Sequence, residues 1–204
     1  AKPLNSSHRD WAELYNGSDE AVDLSGWRLS ASADPEKGVA LSGTLKPGGY
    51  LVVDGGLSVS ASGENLYLFD AAGRAVDRYA TGLIRPGYST GLSSNGSRGI
   101  FERATPGAPN GDSAIAGYTA EPVFSHQGGY VSGEFELTIT CATEGAAIYY
   151  TTDGSKPTTS SKVYSGPIQV GKAACVKAVA KAEGMLTSDQ MAATYLFETH
   201  TMPV

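Results

Sequence analysis

Apolar residues in this chain alternate with polar ones or come in runs of three to five, and they rarely recur at the spacing of a helix face. Gly, Pro, Asn, Asp or Ser interrupts the pattern every eight to twelve residues. The alternation predicts strands at 11–16, 27–30, 39–41, 50–53, 65–69, 75–78 and 100–102, then at 135–141, 147–151, 168–170, 175–180 and 191–195. AAG at 71–73, between Asp70 and Arg74, predicts a short hairpin turn, KPGG at 46–49 a Pro-initiated turn, and AEGM at 182–185 another. Asp153-Gly154 predicts a tight hairpin after strand 147–151, because Asp-Gly favours the φ > 0 backbone such turns need.

Between the two strand groups lies TPGAPNGDSAIAG at 105–117, rich in Pro, Gly and small polar residues, which reads as connecting chain. The boundary falls after Asp112, with 113–117 as linker and a second domain at 118–197. Charge supports the division: all seven Arg precede Asp112, and none follows. Seven short strands in the first part predict an immunoglobulin-like sandwich. The second part is a smaller sandwich of about 80 residues, near the lower size for a core without staples. The expected fold is all-β, two immunoglobulin-like β-sandwich domains in tandem, with no shared repeat period.

Composition narrows the function. With 41% hydrophobic residues, two cores are feasible, and Gly 26 with Pro 10 suits many tight turns. The net charge of −6 is shared, −3 on each side of Asp112, and the Arg are scattered among acids. A phosphate-tracking surface needs clustered cations, so nucleic acid is not an expected partner. No apolar run is long enough for a membrane helix. The opening AKPLNSSH lacks a basic, apolar leader and reads as a processing boundary.

Candidate chemistry is sparse. Cys141 and Cys175 form no CxxC, and His8, His126 and His200 lie far apart, so no metal site is expected. Strand parity puts Cys141 inward with Phe135, Leu137 and Ile139, and Cys175 outward with Lys177, which favours two free thiols over a disulfide. Glu13 alternates with Trp11 and Tyr15; it is either a general acid on an aromatic face or, better supported, a carboxylate capping loop N–H groups. Asp10, Asp19, Glu20 and Asp23 cluster, but without a calcium-loop spacing they read as loop acids. There is no GxSxG elbow, and GLSSNGSRG at 91–99 lacks the GK[ST] of a phosphate loop. Neither a catalytic constellation nor a cofactor is expected. An outward Tyr149, with Tyr130 or Tyr164, could stack on a sugar ring.

DWAELYN at 10–16, VDLSGW at 22–27, LKPGGY at 45–50, NLYLFD at 65–70 and TPGAPN at 105–110 together resemble the lamin tail domain, in its bacterial branch. That family opens with an apolar strand, here missing or reduced to residues 1–4, which would leave an edge able to pair with another chain. VFS at 123–125, IYYTTDGSKP at 148–157, VYSGPI at 163–168 and VKAVA at 176–180 with Gly184 resemble the chitobiase/β-hexosaminidase C-terminal type. The resemblance implies non-catalytic modules. FETHTMPV at 197–204 is similar to a stretch that leads into a spore-coat-H-like atypical kinase domain, so 198–204 is expected to begin a downstream domain.

The expectation is an adhesion, spacing or assembly module of a bacterial secreted or cell-surface protein, its partner a protein or a cell-surface polysaccharide. The rival is a carbohydrate-binding module that targets a downstream catalytic domain. Exposed, coplanar tyrosines favour the rival, and a long unpaired strand edge favours assembly.

Overall fold

The computed structural model describes residues 10–112 and 114–197, in two compact units, Ala1–Ile115 and Ala116–Val204. The expected strand at 1–4, His8, His200 and the segment 198–204 lie outside the described residues. Among the described residues, apart from a single 3₁₀ turn at Pro35–Lys37, the regular structure is β.

In the first unit, Val39–Ala40, Arg28–Ser30, Asn65–Phe69 and Ala75–Ala80 form an antiparallel sheet in that order. Leu29 sits opposite Leu68, and both reach a core built on Leu24, Leu41, Val53, Val59 and Ile84. Ala12–Tyr15 pairs with Tyr50–Val53, and the inward residues of that pair, Ala12, Leu14, Leu51 and Val53, belong to the same core. The expected turn at 71–73 forms: Asp70 exchanges backbone bonds with Arg74 and Gly73, and Gly73 takes φ +75°. Ser89–Leu92 and Arg98–Phe101 make a separate hairpin, and Val22–Asp23 pairs with Thr44–Leu45.

In the second unit a five-stranded sheet runs Gly129–Val131, Met191–Phe197, Ala174–Lys181, Ala147–Thr151, Lys162–Val163. Pro122–Phe124 pairs with Ile139–Cys141, and Phe135–Leu137 with Ile168–Val170. The expected strand 135–141 is thus divided at Thr138, where the chain changes partner. Its inward set, Phe135, Leu137, Ile139 and Cys141, does face the core. The Tyr195 ring, 0% exposed, is buried in the same core as Val176, Ala178, Ala180 and Ala193. The Tyr195 hydroxyl donates to the His126 carbonyl at 2.8 Å, and the Phe135 ring meets it edge-on at 5.0 Å.

Two local readings change. Asp153-Gly154 is not a tight hairpin apex. Gly154 has φ +81°, but Asp153 stays at negative φ, so the two-residue primed turn cannot close. Gly154 instead donates to the Cys175 carbonyl, and the chain reaches Lys162–Val163 by a longer loop. Of the residues read as linker, Ile115 exchanges both backbone bonds with Ile100 at 2.8 and 2.9 Å, while Gly117 accepts from Leu186 at 2.8 Å.

Candidate functional site

Asn16, 6% exposed, terminates the Ala12–Tyr15 strand. Its Nδ2 donates to the carbonyls of Glu20 and Leu45 at 2.8 and 2.9 Å, and its Oδ1 accepts from the Ser18 N–H and hydroxyl. One short amide thus pins two loops, and the second of them turns at Gly48, φ +69°. The Asn16 N–H donates to the Gly49 carbonyl at 3.0 Å, and this bond sets the phase of the ladder. In an antiparallel pair, alternate residues direct their backbone groups to the partner. Ala12, Leu14 and Asn16 therefore face Tyr50–Val53, while the N–H and C=O of Glu13 and Tyr15 point to the opposite edge, which pairs with no strand among the described residues.

The hairpin Ser89–Leu92/Arg98–Phe101 has the same property. Ser93 donates to Ser97 at 2.8 Å, so residues 89, 91 and 93 face the partner strand and Thr90 and Leu92 face away. Both outward edges line one groove of about 760 Å³. Residues 11–16 and 89–94 line it consecutively, as strand edges do and strand faces, which alternate, do not. Leu14, Leu24, Leu66, Leu68 and Ile84 form its apolar floor, which is the core itself.

The 105–110 loop ties the two edges together. Gly107 donates its N–H to the Glu13 carboxylate, and Asn110 Nδ2 donates to the Leu92 carbonyl at 2.8 Å. Glu13 is therefore a loop-capping carboxylate, the better supported of its two readings. The motifs at 10–16 and at 105–110 meet here, 94 residues apart. Residues 1–82 match the family model Lamin Tail Domain, and residues 126–192 match Chitobiase/beta-hexosaminidase C-terminal domain.

The two matches follow one another along the chain in that order. Both are immunoglobulin-like accessory types. No curated protein matches the chain. The lamin tail match ends at residue 82, whereas the compact unit runs on to Ile115 and includes the hairpin at 89–101 and the 105–110 loop.

Within the lamin tail module the acidic cluster holds no group of three or more potential metal ligands among the described residues. Asp10 accepts from the Val59 N–H at 2.9 Å. Asp23 accepts the Ser25 hydroxyl and N–H at 2.7 and 2.9 Å, and these bonds hold its carboxyl below the usual range. Tyr15, exposed, packs on its cross-strand neighbour Tyr50, with ring centroids 4.9 Å apart at 32°. Burial, then Tyr15 and Glu13, raises the Tyr50 phenol.

In the chitobiase-type module the three singled-out tyrosines stand apart. Tyr149 is half-buried on the outer face, opposite Val163 and Val179 in register. Tyr164 lies against the core, its ring edge-on to Tyr150 at 6.3 Å, so it belongs to the other side of the sheet. Tyr130, 75% exposed, sits on the far edge strand opposite Leu196. Strand spacing and rise put it about 14 Å across and about 20 Å along from Tyr149. Cys141 and Cys175 are free thiols, and Cys141 Sγ donates to the Ala120 carbonyl at 3.2 Å.

The groove escaped the sequence reading because main-chain groups build it, and only its backbone phase distinguishes its edges. The one available signal was the resemblance that predicted an unpaired edge.

Proposed function

We propose that this chain is a non-catalytic assembly module of a bacterial extracytoplasmic protein, acting through surface complementarity and strand-edge contacts. The observation that carries this is the groove, lined by two edges of the lamin tail module that pair with no further strand among the described residues. Open edges are templates for pairing with another chain. The separation of Tyr130, Tyr149 and Tyr164 supports assembly over sugar binding, since a stacking platform needs rings within reach of one sugar. The extracytoplasmic setting is drawn from the bacterial character of the TPGAPN signature.

Affinity electrophoresis of the full chain through gels containing bacterial and plant-type polysaccharides tests this reading. Unretarded migration is expected. Retardation that Tyr149→Ala removes would replace assembly with carbohydrate targeting.

A further inference from the structure

We propose that Asn110 is a self-modification site: the Gly111 backbone nitrogen displaces the Asn110 side-chain amide, and the product frees the 105–110 loop from the Ser89–Leu92/Arg98–Phe101 hairpin. The inference goes beyond the assembly reading and does not depend on it.

Asn-Gly pairs stand at 16–17, 95–96 and 110–111. Glycine has no Cβ to hinder attack by its own nitrogen on the preceding side chain, so all three carry the reactive sequence. Their surroundings differ. Asn16 is 6% exposed, its Nδ2 bound to the Glu20 and Leu45 carbonyls and its Oδ1 to Ser18. Asn95 is exposed, but the nitrogen beside it is engaged: the Gly96 N–H donates to the Ser93 carbonyl at 2.9 Å. Asn95 Oδ1 also accepts from the Ser93 hydroxyl and the Ser97 N–H at 2.6 and 3.0 Å.

At the third pair Gly111 is exposed, and its N–H has no hydrogen-bond acceptor among the described residues. Asn110 Nδ2 donates to the Leu92 carbonyl at 2.8 Å in an exposed bond. Its Oδ1 accepts at 3.2 Å from the Thr105 hydroxyl, which the Ala108 and Pro109 carbonyls share. Releasing this side chain takes movement of a surface loop, whereas releasing Asn16 takes the opening of a strand end.

Solvent base removes the Gly111 amide proton, and the nitrogen attacks Asn110 Cγ. The Cγ–Nδ2 bond breaks, ammonia leaves, and a five-membered imide ring joins the two residues. Water then opens the ring at either carbonyl, giving aspartate or isoaspartate at 110. Water is consumed and ammonia released, with no change of oxidation state. Both products lack the Nδ2 donor that holds the Leu92 carbonyl, and a carboxylate cannot replace it. The new charge also falls in a loop that docks on the Glu13 carboxylate, and like charges disfavour that closure.

The test ages the full chain in warm, mildly alkaline buffer, native and in urea. Tandem mass spectrometry of tryptic peptides quantifies aspartate and isoaspartate at each pair. Native Asn110 is expected to convert about tenfold faster than Asn16 or Asn95, with the three rates converging in urea. Gly111→Ala adds a Cβ in open space, so it keeps the fold and suppresses conversion at 110. Exchange at the Gly107 amide should quicken in step with conversion in the parent chain and stay constant in Gly111→Ala. Equal native rates at the three pairs, faster conversion at Asn16 or Asn95, or an undiminished Asn110 preference in urea would overturn the proposal. So would conversion at Asn110 that leaves Gly107 exchange unchanged.

Discussion

The Glu13 carboxylate accepts the backbone N–H of Gly107 and so joins an early strand to a loop that follows every other strand of the lamin tail module. Glu13→Ala removes the acceptor and leaves that N–H to water. The expected cost is about 1 kcal/mol, with Glu13→Gln recovering much of it, because a neutral acceptor still reaches the turn. Urea unfolding measures the cost, and faster exchange at the Gly107 amide localises it. If Glu13→Ala leaves Gly107 exchange unchanged, the capping role is wrong.

Asn16→Ala should be much more damaging. It removes the amide donor to the Leu45 and Glu20 carbonyls, leaving the latter only the Ser18 hydroxyl, and takes from Ser18 the acceptor of its N–H, at a buried position. A loss of about 2–3 kcal/mol is expected, and Asn16→Asp should not restore it, since a carboxylate cannot donate to the two carbonyls. Urea unfolding of the variant against the parent chain reads this directly.

Gly99 is constrained by space alone. A Cβ there would stand 2.6 Å from the Ala114 Cβ and 2.7 Å from the Ile115 carbonyl oxygen, and the oxygen belongs to backbone. Gly99→Ala should push 114–115 off the hairpin and cost about 1–3 kcal/mol, with loss of amide protection at Ile115. Retained protection at Ile115 would show that the hairpin yields instead.

Burial holds the Tyr195 phenol above its ordinary value of 10.0. On raising the pH, the unfolded chain releases this proton first, so the folded state binds more protons in that window. The contribution to stability is complete below about pH 10 and disappears as pH rises through the folded value. Tyr195→Phe should cost about 1 kcal/mol at neutral pH, from the lost bond to His126, and flatten the alkaline decline. Urea unfolding of both forms across pH 8–11 (roughly the range in which phenols titrate) tests both parts.

Asp153 titrates below the usual carboxylate range, first because of the Ser155 hydroxyl and then its N–H, at 2.6 and 3.0 Å. Ser155→Ala should move its titration upward without restoring the ordinary carboxylate value, because the N–H bond stays. For a carboxyl lowered in this way, the stabilisation holds above the unfolded value and is lost as pH falls through the folded one. Carbon-detected NMR titration of Asp153 gives the answer.

The long strands were legible because five or more residues suffice to show alternation. The strands at Asn65–Phe69 and Ala147–Thr151 lie where the pattern places them. Val22–Asp23, Thr44–Leu45 and Lys162–Val163 were not seen, since two residues carry no period. Ser89–Leu92 was hidden for a different reason. Its composition, Ser, Thr, Gly and Leu, is that of a loop, and pairing with Arg98–Phe101 makes it a strand. For the site, sequence chemistry directed attention to tyrosines and acids, whereas the groove is defined by which way amides point.

The strand Met191–Phe197 lies between Ala174–Lys181 and Gly129–Val131, antiparallel to the first and parallel to the second. A pull applied to the chain beyond Phe197 acts along this strand and loads both ladders in shear. The strand cannot unzip one bond at a time, as an edge hairpin does. The chitobiase-type module should therefore resist tension transmitted from that end.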